Sequence, residues 1–169
     1  DILHSFHDEK GNVAVEGFYG KVIPISDEQR AMIKKVPYDP ADDMKILGTT
    51  AETGDTSYSP LERIWYRPTL EIVGMESGYT APDGHSNIIP GHAMARITCR
   101  LVNNQNGPEI VDLIIKHIKK VCPPGATPSF KFSGAYASPF QVPTNTKEYE
   151  YIATVLTGLY GKPPLQLAT

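Results

Sequence analysis

The sequence predicts an α+β fold in which helices cover one face of an antiparallel sheet. Two patterns carry this prediction. Residues 92–102 alternate between apolar and polar side chains, as expected for a half-buried strand. Residues 108–121 carry a broad apolar stripe at helical spacing, which suits a helix that lies on a sheet. With further strands predicted at residues 69–75 and 128–133, the order helix, strand, strand, helix, strand indicates a ferredoxin-like split βαβ arrangement.

Composition and charge narrow the class of protein. The chain of 169 residues, 40% of them hydrophobic, is long enough for one domain with a real core. Its net charge of −3 gives no electrostatic reason to expect nucleic acid or an anionic membrane as a partner. No apolar run approaches the roughly 20 residues that span a bilayer. Cys99 and Cys122 are too few for a disulfide framework, and we expect buried free thiols in a reducing, cytoplasmic setting.

The first element is predicted to be the end of a helix. Ile2, Leu3 and Phe6 have helical spacing, and residues 8–12 supply a stop and a turn. A split βαβ unit needs a strand before its first helix. We therefore expect that the first strand of the domain precedes Asp1 and is missing from this chain.

A second helix is predicted to begin at residues 26–29, whose sequence SDEQ is a capping signal. Residues 37–60 are polar and rich in glycine, so we expect a loop there with a short helix at residues 42–47. Residues 61–66 are apolar and aromatic, and Pro68 separates them from the next strand.

The strand predicted at residues 92–102 has a dry face and a polar face. The residues expected on the dry face are Ala93, Ala95, Ile97, Cys99 and Leu101, and those expected on the polar face are His92, Met94, Arg96, Thr98 and Arg100. A loop of small and polar residues, 84–87, precedes this strand. This loop and the polar face hold the only polar cluster that looks positioned for chemistry.

The helix predicted at residues 108–121 has Pro108 at its first position. Acidic residues lie near its start and lysines near its end, which suits the helix dipole. Residues 135–146 are predicted to form a proline-rich linker, and residues 147–160 a last helix with a short extended piece after it.

Four segments together resemble the lid segment of the zinc-dependent dipeptidase, aminoacylase and carboxypeptidase superfamily, peptidase family M twenty. They are residues 61–70 (LERIWYRPTL), 78–79 (GY), 86–90 (SNIIP) and 100–105 (RLVNNQ). The resemblance covers nearly the whole chain, and the carnosinase-like dipeptidases are the most similar branch. It implies a lid and dimerisation domain at residues 1–134, truncated at its N-terminus. Residues 135–169 would be a linker, helix and strand stub that return to a catalytic domain absent from the chain.

The resemblance also implies a parent enzyme that hydrolyses dipeptide or N-acyl amino acid amide bonds with two zinc ions. Family members hold these ions in a separate catalytic domain through a His-x-Asp pair, a bridging Asp, a Glu-Glu pair and a distant His. None of the five histidines of this chain stands in such a pattern; they are His4, His7, His85, His92 and His117. Because zinc needs about four ligands in a tight geometry, we expect no metal site, no cofactor and no catalytic residue in this chain.

Two residues are candidates for substrate binding on the strength of the resemblance. Asn87 matches the Asn or Thr of the family's Asn-Val-Ile-Pro or Lys-Thr-Val-Ile-Pro motif, whose side chain reaches the partner subunit's active site. Arg100 matches the Arg of the family's Ser-x-Arg-Leu-Val-Pro pattern, where it helps to hold the substrate's carboxylate. A guanidinium fork suits that task because it binds a carboxylate through two hydrogen bonds. Asn103 departs from the pattern, since Pro is usual there.

Each candidate has a structural interpretation as well. Asn87 can be a turn residue that satisfies loop backbone, and Arg100 can be a solvated arginine on a sheet face. Arg96 lies on the same predicted face and competes with Arg100. His85 is interpreted as a loop histidine. Tyr136 stands where some family members carry another substrate-contacting His, and its role is left open.

The implied partners are a second copy of the chain, bound through an edge strand or apolar helices, the protein's own catalytic domain, and a dipeptide or N-acyl amino acid substrate.

A different class of function is a stand-alone α+β binding module, such as an RNA-binding ferredoxin-like domain. Such modules need a basic surface and aromatic residues on the central strands. This chain is acidic, and residues 92–102 include no aromatic residue. A complete small hydrolase is disfavoured, because the sequence offers no set of nucleophile, base and orienting group.

Overall fold

The computed structural model describes residues 1–79, 87, 89–132 and 136–168. Its elements are a 3₁₀ turn (His4–Phe6), α1 (Asp27–Ile33), α2 (Pro40–Leu47), α3 (Pro60–Tyr66), β1 (Thr69–Ser77), β2 (Ala93–Arg100), α4 (Gly107–Val121) and α5 (Lys147–Tyr160). β1 and β2 form an antiparallel sheet, and α4 packs against one of its faces. The predicted α+β class is confirmed. Within the described ranges, no helix has both the length and the apolar character needed to cross a membrane.

The two strands pair in a register that contains one bulge. Leu70 lies opposite Cys99, and Ile72 lies opposite Ile97, on the face toward the core. The register then shifts at Val73, so that Gly74 lies opposite Arg96. A bulge of this kind bends the strand and increases its twist.

The alternation predicted for β2 is confirmed except at its first residue. The half-buried residues of β2 are Ala95, Ile97 and Cys99, and the exposed ones include Arg96, Thr98 and Arg100. Ala93 was expected on the dry face but is exposed. At this end of the sheet Met75, opposite Ala95, is also 74% exposed. The described elements therefore cover only the other end of the sheet, near Leu70.

The core lies between the sheet, α4 and the N-terminal segment. Phe6, Phe18 and Leu70 are its largest fully buried side chains. Ile110 and Ile118 reach the same cluster from α4. The apolar stripe of α4 therefore faces the sheet, as its spacing in the sequence predicts.

The start of α4 differs slightly from its prediction. The side chain of Asn106 caps the helix by accepting a hydrogen bond from the backbone N–H of Glu109. Gly107 is the first helical residue, so Pro108 occupies the second position rather than the first. Either position suits proline, because these N–H groups have no partner within the helix.

The first residues form a 3₁₀ turn at His4–Phe6 rather than the end of an α-helix. The apolar residues Ile2, Leu3 and Phe6 do face the core, as their spacing predicts. The chain then turns because the carboxylate of Asp8 accepts hydrogen bonds from the backbone N–H groups of Lys10 and Asn12. A strand before Asp1 stays a prediction.

Helices α1 and α3 begin with the same capping arrangement. At α1 the predicted signal is confirmed: Ser26 and Gln29 exchange side-chain-to-backbone hydrogen bonds. Ser59 and Glu62 do the same at α3, a helix that is not among the predicted elements. The short helix predicted at residues 42–47 is confirmed as α2, which begins two residues earlier, at Pro40.

The strand predicted at residues 128–133 is wrong for residues 128–132, the part that the structure describes. These residues form no helix or strand and pair with no other described segment. Phe130 and Phe132 are 43% and 59% exposed. Alternation of aromatic and polar residues predicts which side chains share a face, but a strand also needs a neighbour for its backbone hydrogen bonds.

Candidate functional site

The exposed face of the sheet carries the first candidate, Arg100. Arg100 ends β2 and lies opposite Thr69, the first residue of β1. Its side chain is exposed, and no hydrogen bond or ion pair to it forms within the described ranges. Arg30 and Arg63, by contrast, are paired with carboxylates. The guanidinium donors of Arg100 are therefore available to an anion from solution.

Arg96, the competing arginine, occupies the other end of the same face. It lies opposite Gly74, and its side chain crosses that glycine: a Cβ added to Gly74 would lie 3.8 Å from both Cβ and Nη1 of Arg96. The guanidinium is thus drawn over β1 at the bulge. Arg100 is four residues further along β2, roughly 13 Å away at about 3.3 Å per strand residue. The two arginines mark separate positions on the face.

The second candidate, Asn87, is an exposed residue between β1 and β2. Residues 80–86 and 88, which include His85, lie outside the described residues. No hydrogen bond joins Asn87 to Arg100 in the part of the chain that the structure describes. That these two residues act on one substrate stays a prediction.

The described residues do not fit a metal site. Among them, no group of three or more His, Cys, Asp or Glu side chains could hold a metal ion. His117 is a packing residue in the middle of α4. Its Nε2 lies 2.9 Å from the hydroxyl of Ser5, and its ring stacks on Phe6 with ring centres 5.6 Å apart. His92 is exposed.

Both cysteines are free, as predicted, but they are half-buried rather than buried. Burial, together with the negative charge of Glu71, raises the pKa of Cys99 to about 11. The thiol is therefore protonated at neutral pH, and a protonated thiol is a poor nucleophile and a poor metal ligand. Cys99 belongs to the packing of β2 on the core, not to a reactive centre.

Tyr136 lies at the start of α4 rather than on the exposed sheet face. A Cβ added to Gly107 would come within 3.1 Å of the Tyr136 ring, and the ring centre lies 5.8 Å from that of Phe132. α4 packs on the face of the sheet opposite to Arg100. The structure therefore does not bring Tyr136 together with Arg100.

A cleft beside β1 contains a polar residue that was not predicted as a site residue, Arg67. Its guanidinium carbon lies 4.3 Å from the ring centre of Tyr19 and 4.5 Å from that of Tyr58. The cleft has a volume of about 590 Å³ and is also lined by Thr69 and Glu71. It therefore opens beside the exposed sheet face. The sequence does carry a signal for this position of Arg67. It precedes Thr69 and Glu71 at spacings of two, and side chains at that spacing in extended backbone point to the same face.

Comparison with known sequences identifies the domain. The sequence profile described as "Peptidase dimerisation domain" matches residues 1–126. The Beta-Ala-His dipeptidases of Rattus norvegicus and Homo sapiens are each 27% identical over 120 residues, which is 71% of this chain and 24% of theirs. The Cys-Gly metallodipeptidase DUG1 of Saccharomyces cerevisiae is 24% identical over 116 residues, 69% of this chain and 24% of the relative. The chain thus spans about a quarter of the length of these relatives.

Solved structures agree with this result. An M20 family metallo-carboxypeptidase from Sulfolobus solfataricus superposes with a TM-score of 0.78 and 27% identity, covering 99% of this chain and 37% of the other. Human carnosine dipeptidase 1 superposes with a TM-score of 0.76 and 22% identity over 99% of this chain and 36% of the other, which shows a shared fold. The resemblance inferred from the sequence is confirmed. With three quarters of its length matched by the family profile, this chain belongs to the peptidase dimerisation domain family of the M20 metallopeptidases.

Proposed function

We propose that this chain is the dimerisation and lid domain of a di-zinc metallopeptidase that hydrolyses dipeptide or N-acyl amino acid amide bonds. Membership of the peptidase dimerisation domain family supports the structural role. The relatives named Beta-Ala-His dipeptidase and Cys-Gly metallodipeptidase support the reaction. The two zinc ions would be held by the separate catalytic domain that the family resemblance implies, and the described residues of this chain include no group of three or more possible metal ligands. The chain alone would then hydrolyse nothing.

The proposal divides the chain into a dimerisation domain at residues 1–134 and a returning segment at residues 135–169. The core cluster extends from Phe6 to Ile118, whereas α5 contributes no buried residue. This contrast supports a boundary between α4 and α5. The two free cysteines support a reducing, cytoplasmic location.

Arg100 and Asn87 are the proposed substrate-binding residues, and they would complete the active site of the partner subunit. The observation that carries this proposal is the exposed guanidinium of Arg100, which has no acceptor within the described residues. Its planar fork matches the carboxylate in which a dipeptide ends. The amide of Asn87 offers both donors and an acceptor from an exposed position.

Replacing Arg100 tests the site. In the gene product that contains this chain, Arg100→Gln should lower kcat/KM for dipeptides by about tenfold or more, because a charge-assisted pair with the substrate carboxylate is lost. The exposed Lys119 on α4 offers a matched loss of charge, and Lys119→Gln should leave kcat/KM unchanged. If Arg100→Gln hydrolyses dipeptides as well as the parent protein does, Arg100 has no substrate-binding role. A selective loss in Arg96→Gln would transfer the role to Arg96.

Sedimentation of the chain tests the dimer. We expect a homodimer across micromolar concentrations, since the described residues leave β1 and β2 without further strand partners and strand edges favour pairing. A dilution series separates a specific dimer, which dissociates in one step, from irregular association. A monomer throughout that range would contradict the proposed dimerisation.

A further inference from the structure

The cleft at the start of β1 has the size and lining of a small-molecule site. It lies between α2, α3, the turn after Asp8 and the first residues of β1, and its volume is about 590 Å³. Pockets that bind small molecules are typically about 300–1,000 Å³, with apolar walls and a few convergent polar groups. Arg96 and Arg100 are not among its lining residues.

Arg67 is the polar group that this cleft presents most clearly. Its guanidinium lies between the rings of Tyr19 and Tyr58, and the hydroxyl of Tyr19 is itself fixed by a hydrogen bond from the backbone N–H of Val13 at 3.0 Å. The side chain is half-buried, yet no hydrogen bond or ion pair to it forms within the described ranges. An aromatic clamp positions a guanidinium without using its N–H donors. Arg67 is therefore held in place with its N–H donors unpaired among the described residues.

The neighbouring cation of the cleft is already satisfied. Arg63 pairs with Glu52 at 2.6 Å and donates a hydrogen bond to the carbonyl of Thr53. Among the acidic groups, Asp43 accepts a hydrogen bond from Tyr38 at 2.6 Å. The wall of the cleft is thus stabilised by contacts of Arg63, Glu52 and Asp43. Arg67 is the remaining arginine of the lining.

Three carboxylates of the cleft have no cationic partner within 4 Å among the described residues: that of Asp43, which accepts the hydroxyl of Tyr38, and those of Asp55 and Glu71. Asp55 accepts the backbone N–H of Ser57 at 2.9 Å; this bond, with the more distant charge of Arg67, keeps the pKa of Asp55 below its ordinary value. Glu71 is exposed on β1, two strand positions past Thr69. A ligand held by Arg67 would therefore meet negative charge beside its anionic group.

The remaining wall of the cleft is apolar and open to solvent. Leu47 of α2 and Ile64 of α3 line it, although they are 73% and 50% exposed. Met44 adds a half-buried side chain. Covering such surface is favourable by about 25 cal/mol for each Å² removed from water.

We propose that this cleft binds a zwitterionic amino acid or short peptide with an apolar side chain. The carboxylate of the ligand binds Arg67, its ammonium group faces Asp55, and its side chain covers Leu47 and Ile64. The three parts of the cleft correspond to the three parts of such a ligand. The proposal does not depend on a peptidase role for the parent protein or on Arg100.

Titration of the ¹⁵N-labelled chain, followed by NMR, tests the proposal with four probes of related structure. L-Leucine and alanyl-leucine should each give saturable shifts at the Arg67 side chain and the Leu47 amide at millimolar concentrations, and their relative affinities distinguish an amino acid site from a peptide site. L-Leucinamide, which lacks the carboxylate, and N-acetyl-L-leucine, which lacks the ammonium group, should bind at least about tenfold more weakly.

Variants locate the site. Arg67→Gln should abolish the shifts caused by leucine, while Lys119→Gln, the loss of an exposed cation on α4 outside the cleft, should leave them unchanged. Because Arg67→Gln also removes the contacts with Tyr19 and Tyr58, Leu47→Ser provides a second variant at an exposed position, where leucine should bind several-fold more weakly. Equal affinity for leucine and leucinamide, retained binding in Arg67→Gln, or no saturable shift with any probe would overturn the proposal.

Discussion

At the scale of single residues, the arginines of the chain fall into two groups. Those that join elements are paired with carboxylates, namely Arg30 with Glu62 and Arg63 with Glu52. Arg67, Arg96 and Arg100 form no ion pair within the described residues: Arg67 stacks on Tyr19 and Tyr58, and Arg96 and Arg100 are exposed on β2. Ion pairs at the protein surface contribute little to stability. The ligands proposed above for Arg67 and Arg100 would use these unpaired guanidinium groups.

Tyr38 is expected to lose its proton at a higher pH than an ordinary tyrosine. Its hydroxyl donates to Oδ2 of Asp43 at 2.6 Å, and this hydrogen bond, with a smaller contribution from burial, raises the pKa of Tyr38 from 10.0 to about 12. Because the pKa is raised in the folded state, the associated stabilisation is fully present below pH 10 and is lost as the pH rises toward 12. Asp43→Asn should return the pKa of Tyr38 toward 10, measured from the ring ¹³Cζ resonance.

Asp42→Asn is the matched control for that titration, since Asp42 is an exposed neighbour on the same helix. It should leave the titration of Tyr38 unchanged. A pKa that stays near 12 in Asp43→Asn would show that the hydrogen bond is not the cause of the shift.

At the scale of elements, α1 and α3 are joined by a single buried carboxylate. Glu62 is only 9% exposed. It accepts the backbone N–H of Ser59 at 2.7 Å and pairs with Arg30 at 2.9 Å. Burial raises the pKa of Glu62, but the hydrogen bonds from Ser59 and the charge of Arg30 outweigh that effect, so its pKa lies below the ordinary 4.5. One side chain thus caps one helix and anchors another.

Glu62→Gln should lower the free energy of unfolding by about 1–3 kcal/mol. The substitution removes the negative charge that accepts the hydrogen bonds from Arg30 and Ser59. The stabilisation from Glu62 is present above its unfolded pKa and is lost as the pH falls through its folded pKa. The variant should therefore also lose part of its destabilisation on acidification below about pH 4.5. Urea unfolding at neutral and acidic pH measures both effects. Glu76→Gln, a substitution at an exposed position on β1, should change neither the free energy of unfolding nor its pH dependence. Equal effects from the two variants would contradict the role of Glu62 in joining α1 and α3.

At the scale of the whole molecule, α4 and α5 differ in how they are held. α4 buries Ile110 and Ile118 in the core, whereas α5 buries no residue and leaves Tyr151, Ile152 and Leu159 exposed. Helices in proteins depend mainly on tertiary packing for their stability. We therefore expect α5 to need a surface outside the described part of the chain, which in the proposed parent is the catalytic domain.

A pair of alanine substitutions measures that difference. Ile118→Ala should cost about 2–5 kcal/mol of unfolding free energy, because it leaves a cavity in the core. Leu159→Ala, at a side chain that is 72% exposed, should change it by less than about 0.5 kcal/mol. Thermal unfolding of the chain gives both values. A cost for Leu159→Ala comparable with that for Ile118→Ala would mean that α5 packs on the core after all.

Local signals made several elements predictable. Apolar spacing predicted α4 and α5 within one residue at each end, and the capping residues at Ser26 predicted α1. These signals depend on contacts between residues three or four apart, so they can be read without knowing the fold. The helix at residues 60–66 was not predicted, although Ser59 and Glu62 carry the same capping signal.

Longer-range features were not predictable in the same way. Residues 128–132 alternate as a strand would, but no described segment supplies their backbone hydrogen bonds. The position of Arg67 depends on its contacts with Tyr19 and Tyr58. These two tyrosines are far apart in the sequence and come together only in the folded chain. The missing strand partner leaves no local signal, and for Arg67 the local alternation indicates only that it shares a face with Thr69 and Glu71, not that two tyrosines hold it.

By itself, then, the sequence determined the family of this protein, its main helices and strands, and the two faces of β2, because periodicity and short motifs are local properties of the chain. The tertiary structure decided that Arg96 lies over Gly74 at the bulge while Arg100 lies at the other end of the same face, that Tyr136 lies beside α4, and that Arg67 stands clamped in a cleft next to the sheet. Those positions depend on which distant residues pack together, and packing is settled only when the whole chain has folded.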